Sequence, residues 1–259
     1  MTVSIAMAGK GGTGKTSVAC LIIRYLVRHG GAPVLAVDAD PAANLGLGLG
    51  LEVGKTVGQV LAGFNENKLL IPPGLSKEAS LSIRLNETIV ESRCVDLITM
   101  GRGEGAGCYC FPNNVLKNFI DQLLPNYSHL VMDNEAGLEH LSRGTTECVD
   151  ELILMSNHSI KGIRTVGTII SLVDELKLNV KRKWVILNQC PAVVDPLVAA
   201  EIDRLGIGVD AAIPEDRMVV EFDWHRRSLL EMPDDSPAVA AVNGLMRKIG
   251  SNRFTGEKA

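Results

Sequence analysis

The chain has 259 residues, 46% of them hydrophobic, and a formal net charge of -4. That length supports one large core, and the acidic balance excludes a global basic field of the kind that draws proteins onto nucleic acid or anionic lipid. No apolar run approaches the roughly 20 residues that cross a bilayer and no signal-type segment opens the sequence, so the expectation is a soluble, cytoplasmic protein whose six cysteines stay reduced.

Val3 to Ala8 reads as a short apolar strand. It runs into Gly9-Lys-Gly-Gly-Thr-Gly-Lys-Thr16, and helical spacing follows over Thr16 to His29, closed by Gly30. A strand before and a helix after G-x-x-x-x-G-K-[ST] make this a P-loop. Its glycines let successive N–H groups turn inward around phosphate oxygens, and the helix adds the positive end of its dipole. The nucleotide-binding candidates here are Gly9, Lys10, Gly11, Gly12, Thr13, Gly14, Lys15, Thr16 and Ser17. Lys15 is expected on the β and γ phosphates, and the Thr16 hydroxyl on Mg2+.

The next strand, Val34 to Val37, ends in Asp38-Ala-Asp40, at the carboxyl edge where ligands sit in open α/β sheets. Asp40 is the candidate for positioning the attacking water, and Asp38 joins the magnesium side. Residues Leu51 to Cys94, with Ile71-Pro-Pro-Gly74, are less regular and read as an insertion. A strand over Val95 to Met100 then leads into a glycine-rich bend carrying Cys108-Tyr-Cys110. In extended backbone, residues i and i+2 face the same way, so Cys108 and Cys110 can share a ligand. Two such pairs meeting across a two-fold axis would give a four-thiolate metal site. The plainer reading is that both are small buried hydrophobes, as assumed for Cys20, Cys94, Cys148 and Cys190.

The strand His129 to Asp133 ends in a carboxylate that reads as the Walker B acid, holding Mg2+ through water, with Gly137 four residues on to give the backbone freedom. Strands Glu151 to Ser156, Lys183 to Asn188 and Val209 to Pro214 follow, with a helix over Ile160 to Leu176. A last helix starts at Ser236-Pro237 and runs to about Ile249, which gives a single ATPase domain over 1–250 and a polar tail over 251–259. Arg226-Arg227, beside Trp224-His225, reads as a solvated helix face or a partner contact. Most strands are apolar on both faces, which requires a parallel sheet covered on both sides: a doubly wound α/β fold.

Lys10, inside the P-loop, makes the motif resemble the deviant Walker A of the family containing MinD, ParA and the nitrogenase iron protein, over nearly the whole chain. The resemblance implies a nucleotide-sandwich homodimer in which Lys10 reaches the other subunit's phosphates, and adenine contacts from Asn188 and from Pro214, Glu215 and Asp216. With Cys108 and Cys110, Asp133-Asn-Glu-Ala-Gly137 and Leu141-Ser-Arg143, the chain is similar to the CooC family, ATPases that assist nickel insertion into carbon monoxide dehydrogenase and acetyl-CoA synthase. That implies ATP and Mg2+ at the P-loop, Ni2+ or Zn2+ bridging two subunits through Cys108 and Cys110, and a client nickel enzyme, with no nucleic acid or membrane partner. Thiolate softness by itself also permits Cu+ or an iron–sulfur cluster. The alternatives are an electron-transfer ATPase like the nitrogenase iron protein and a positioning ATPase like MinD or ParA.

Overall fold

The computed structural model describes residues 2–66, 71, 74–102, 110–135 and 148–255, with 65–66, 110–115 and 252–255 described by backbone alone. Strand β1 (Val3–Gly9) leads into α1 (Lys15–Arg28), β2 (Val34–Ala39), the short α2 (Leu45–Leu49), α3 (Val57–Glu66) and α4 (Lys77–Asn86). Then come β3 (Ile89–Val90), β4 (Val95–Thr99), α5 (Cys110–Leu123), β5 (His129–Asn134), β6 (Val149–Asn157) and α6 (Ile160–Glu175). The chain continues through β7 (Val180–Cys190), α7 (Pro196–Arg204), β8 (Ala211–Pro214), α8 (Arg217–Trp224) and α9 (Pro237–Thr255).

These strands form one sheet in the order β3-β4-β2-β5-β1-β6-β7-β8. All neighbours are parallel except β3 against β4. Both faces are covered, which is why the strands lack alternation. On β1 and β2, Ile5, Met7, Val34 and Ala36 face a core closed by α1 and α9, whereas Ala6, Ala8, Leu35 and Val37 face one closed by α3 to α6. This is the doubly wound, mostly parallel α/β sheet of a P-loop protein. Parallel order brings the carboxyl ends of all strands but β3 to one edge, where Gly9, Ala39, Asn134 and Cys190 all lie.

Two expectations change. The described residues of 51–94 pack into the domain: Val57, Leu61, Phe64, Leu81 and Leu85 are buried in the second core, and Ile89–Val90 adds an antiparallel edge strand. Helix α9 continues to Thr255, past both Ile249 and the polar start of the expected tail, with Gly250 inside it. Asn188 lies inside β7, as the strand expected over Lys183 to Asn188 has it. Ser236 is the expected hydroxyl cap of α9, accepting from Val239 N–H at 3.2 Å.

Helix α1 carries the P-loop and is pinned by a buried cation. Arg24, 1% exposed, donates through Nε and Nη2 to Met232 O (2.9 and 2.5 Å) and through Nη2 to Asp234 (2.6 Å). These charge-assisted bonds fix the helix against the segment entering α9.

Candidate functional site

The P-loop is held open by contacts that only glycine allows. At Gly9 (φ 147°) a Cβ would fall 2.2 Å from Met155 O on β6, and at Gly14 (φ 82°) it would fall 2.3 Å from Asn188 Nδ2. Gly14 also caps α1 without a side chain, so the first-turn N–H groups are left for a ligand. Thr13 is buried and donates to Lys10 O at 2.9 Å, closing the loop on itself. Lys15 folds back over the loop, its Nζ donating to Gly9 O (3.1 Å) and Lys10 O (3.3 Å). Burial lowers its pKa, opposed by the charges of Asp133, Asp40 and Glu135. Lys10 itself is exposed.

Strand register gathers the acids. Asp38 on β2 pairs with Asp133 on β5, and Asp133 with Met7 on β1. Asp38 is fully buried and spends its two oxygens on Leu45 N–H (2.8 Å) and Asp40 N–H (3.2 Å), which ties β2 to α2. Asp40 is half-buried and accepts from Ala42 N–H at 2.8 Å. Asp133 accepts from the Thr16 hydroxyl at 2.5 Å through Oδ2, while its buried Oδ1 has no partner among the described residues. Burial first, then the neighbouring acids, push Asp133 up to about 7 despite the Thr16 bond, and burial raises Asp38 to about 6.

Three of the four buried polar side-chain atoms left unpaired among the described residues are Thr99 Oγ1, Asp133 Oδ1 and Asn134 Oδ1, at the carboxyl ends of β4 and β5, the two strands that flank β2. Of these, Asp133 Oδ1 belongs to the carboxylate that already holds the Thr16 hydroxyl, and an unsatisfied oxygen there marks a place for an ion or water. The Thr16 hydroxyl and the Asp133 carboxylate therefore fit Mg2+, whose charge would favour the ionised acid. Among the described residues no three His, Cys, Asp or Glu side chains converge as metal ligands.

A cleft of about 680 Å3 joins the loop residues Gly11, Gly12, Gly14, Lys15, Thr16 and Ser17 to Asp40. Its other walls carry Asn44, Leu47, Glu135, Gln189, Asp223, Arg226 and Arg227. Arg226 and Arg227 are exposed at this cleft, in the turn after α8 and not on its helical face. Gln189 escaped notice because only a bulge near the end of β7 turns it into the cleft. Pro214, Glu215 and Asp216 do not line the cleft. Asp216 spends its carboxylate on Ser236 Oγ (2.6 Å), Met218 N–H (2.9 Å) and Ala238 N–H (3.1 Å), bracing α8 and α9. Asn188 is 7% exposed and donates to Thr13 O at 2.8 Å, so it supports the P-loop directly. A larger hollow of about 980 Å3 lies at the opposite edge of the sheet, where Asp150 satisfies Lys181 (2.7 Å) and Ser4 (3.0 Å), away from the P-loop. Cys108, Gly137, His140, Leu141, Ser142 and Arg143 lie outside the described residues, and Cys110 is described only as the first backbone position of α5.

Residues 4–225 match the CobQ/CobB/MinD/ParA nucleotide binding domain. An uncharacterized ATP-binding protein of Methanocaldococcus jannaschii is 36% identical over 252 residues, covering 96% of this chain and 99% of the relative. The carbon monoxide dehydrogenase accessory protein CooC of Rhodospirillum rubrum is 29% identical over 263 residues, covering 95% and 97%. In fold, the chain resembles the septum site-determining protein MinD of Pyrococcus horikoshii complexed with Mg-ADP, with a TM-score of 0.69, 24% identity and coverage of 100% and 99%. The P-loop cradle, the paired strand-end acids and a match across most of the sequence converge, and the chain belongs to the CobQ/CobB/MinD/ParA family of P-loop ATPases.

Proposed function

We propose that the protein is an ATP-hydrolysing metallochaperone that binds nickel, or zinc, through Cys108 and Cys110 at a dimer interface and assists nickel insertion into carbon monoxide dehydrogenase or acetyl-CoA synthase. The observation that carries this reading is the likeness to CooC along almost the whole of both chains, in a sequence that places Cys-x-Cys directly behind β4. In the nucleotide half of the reading, Lys15 holds the β and γ phosphates, Asp40 orients the attacking water, and Thr16 and Asp133 hold Mg2+. When bound, that ion neutralises phosphate charge. Exposed Lys10 supplies a cation to the phosphates of the facing subunit, which makes hydrolysis depend on dimerisation.

The sheet offers a route for coupling. Met100 N–H donates to Asp38 O at 2.8 Å, so the segment leading to the two cysteines leaves the sheet beside the Asp38–Asp40 turn. A shift of Asp40 on hydrolysis would move that segment and change metal affinity. The nitrogenase-iron-protein alternative needs a cysteine shortly after the Walker B acid, where this chain has Asn134, Glu135, Ala136 and Gly137. A MinD-like membrane contact by the last helix is disfavoured because Val239, Val242, Leu245, Met246 and Ile249 of α9 are buried in the core.

The test is a titration of the full-length protein with Ni2+ and Zn2+, with and without MgATP, while its mass in solution is followed. The expected outcome is one metal per two chains in the wild type and none in the Cys108→Ser, Cys110→Ser double variant, with MgATP affinity kept within about 2-fold. Unchanged metal stoichiometry in the double variant would overturn the assignment.

A further inference from the structure

Two described non-glycine residues with a left-handed backbone line the nucleotide cleft. The described non-glycine residues with positive φ are Ala43, Lys177, Gln189 and Arg226. Gln189 (52°) and Arg226 (50°) line the cleft, and Ala43 (54°) precedes Asn44, which also lines it. Left-handed backbone is costly for residues with a Cβ and persists where surrounding structure enforces it, commonly at functional sites.

At Arg226 the positive φ is the left-handed close of α8, completed by the Arg227 N–H, which donates to Phe222 O at 2.8 Å. The residue follows α8, and its N–H donates to Asp223 O at 3.0 Å. Two residues on, the Ser228 hydroxyl donates to Leu49 O at 2.8 Å, which ties this turn to the end of α2. Glycine would occupy the position without strain. The neighbouring Arg227 is already employed, its guanidinium lying 4.1 Å over the Phe222 ring and 3.5 Å from Glu231. Arg226 is exposed, and its guanidinium has no protein partner among the described residues; it does not pair even with Asp223, three positions earlier. A strained position therefore presents an uncommitted fork of donors to the cleft that the P-loop floors, and planar forks of this kind suit phosphate oxygens.

We propose that Arg226 is a nucleotide-contacting residue whose guanidinium binds the polyphosphate of the bound nucleoside triphosphate from the α8 wall of the cleft. The proposal rests on the reading of this cleft as the nucleotide site. Strain and ligand contact pull in opposite directions, and the experiment uses that opposition. MgATP affinity by calorimetry and the thermal midpoint without nucleotide are measured for the wild type, Arg226→Gly, Arg226→Lys and, as the control that removes the P-loop cation, Lys15→Ala. Arg226→Gly relieves the positive φ and removes the donors, so its midpoint should rise while MgATP affinity falls about 10-fold or more. Arg226→Lys keeps the charge, loses the fork and should fall between the two. MgATP affinity in Arg226→Gly within about 2-fold of wild type would overturn the proposal, as would a lost affinity accompanied by a lowered midpoint, which would make the residue structural. A wild type that binds no MgATP would instead overturn the nucleotide reading of the cleft, and this proposal with it.

Discussion

Gly14 shows how much a single position can decide. Its φ of 82° is left-handed and a Cβ there would meet Asn188 Nδ2 at 2.3 Å, on the same amide that donates to Thr13 O. Gly14→Ala should therefore both strain the loop and push Asn188 off it, lowering MgATP affinity more than about 10-fold and the thermal midpoint with it. Gly12→Ala is the contrasting case, since φ is 79° but nothing lies within 4 Å of the added carbon. It should show the backbone penalty alone, about 1 kcal/mol by denaturant unfolding. The glycines, lysine and threonine of this loop were legible in sequence because a motif with fixed spacing specifies them. The work of Asn188 was not, because its partner is 175 residues away and no local pattern records that bond.

Among the elements, α1 has the most dependent upon it, since its first turn builds the phosphate cradle. Its far side is held by Arg24, whose Nη1 is buried and unpaired while the rest of the guanidinium grips Met232 O and Asp234. Arg24→Ala should cost about 2–4 kcal/mol in urea unfolding, from a cavity at a 1% exposed site and an orphaned carbonyl. Asp234→Ala should cost much less, because that carboxylate is 71% exposed and water replaces it. Strands and long helices followed from hydrophobic runs and caps, as at Ser236 before Pro237. In the segment 51–94 the helical spacing is present, as Val57, Val60, Leu61 and Phe64 on α3 and Leu81 and Leu85 on α4, but it is split between two ten-residue helices and a two-residue strand and interrupted by Pro72-Pro-Gly74, so the sequence reads as irregular.

For the whole molecule, the buried acids under the P-loop make stability depend on pH. Asp133 and Asp38 are raised to about 7 and about 6, so between pH 4 and 7 the folded chain holds protons that the unfolded chain has lost. Their contribution is full below the unfolded value near pH 4 and disappears as pH rises through the folded values. Without nucleotide, the wild type should lose about 2–4 kcal/mol relative to Asp133→Asn on going from pH 4 to pH 8. MgADP should flatten that slope by favouring the ionised acid, and thermal unfolding in chelator against MgADP checks both. The sequence by itself determined the layered α/β class, the P-loop and the strand-end carboxylates, because two-sided apolar strands and a glycine-rich turn before a helix are local patterns with few physical solutions. Only the tertiary structure decided which acids meet, that Asp38 is spent on α2 and Asp216 on α9, and that Gln189 and Arg226 face the nucleotide cleft. Those facts depend on sheet register, a bulge and two left-handed residues, and each is set by contacts between segments far apart in the chain.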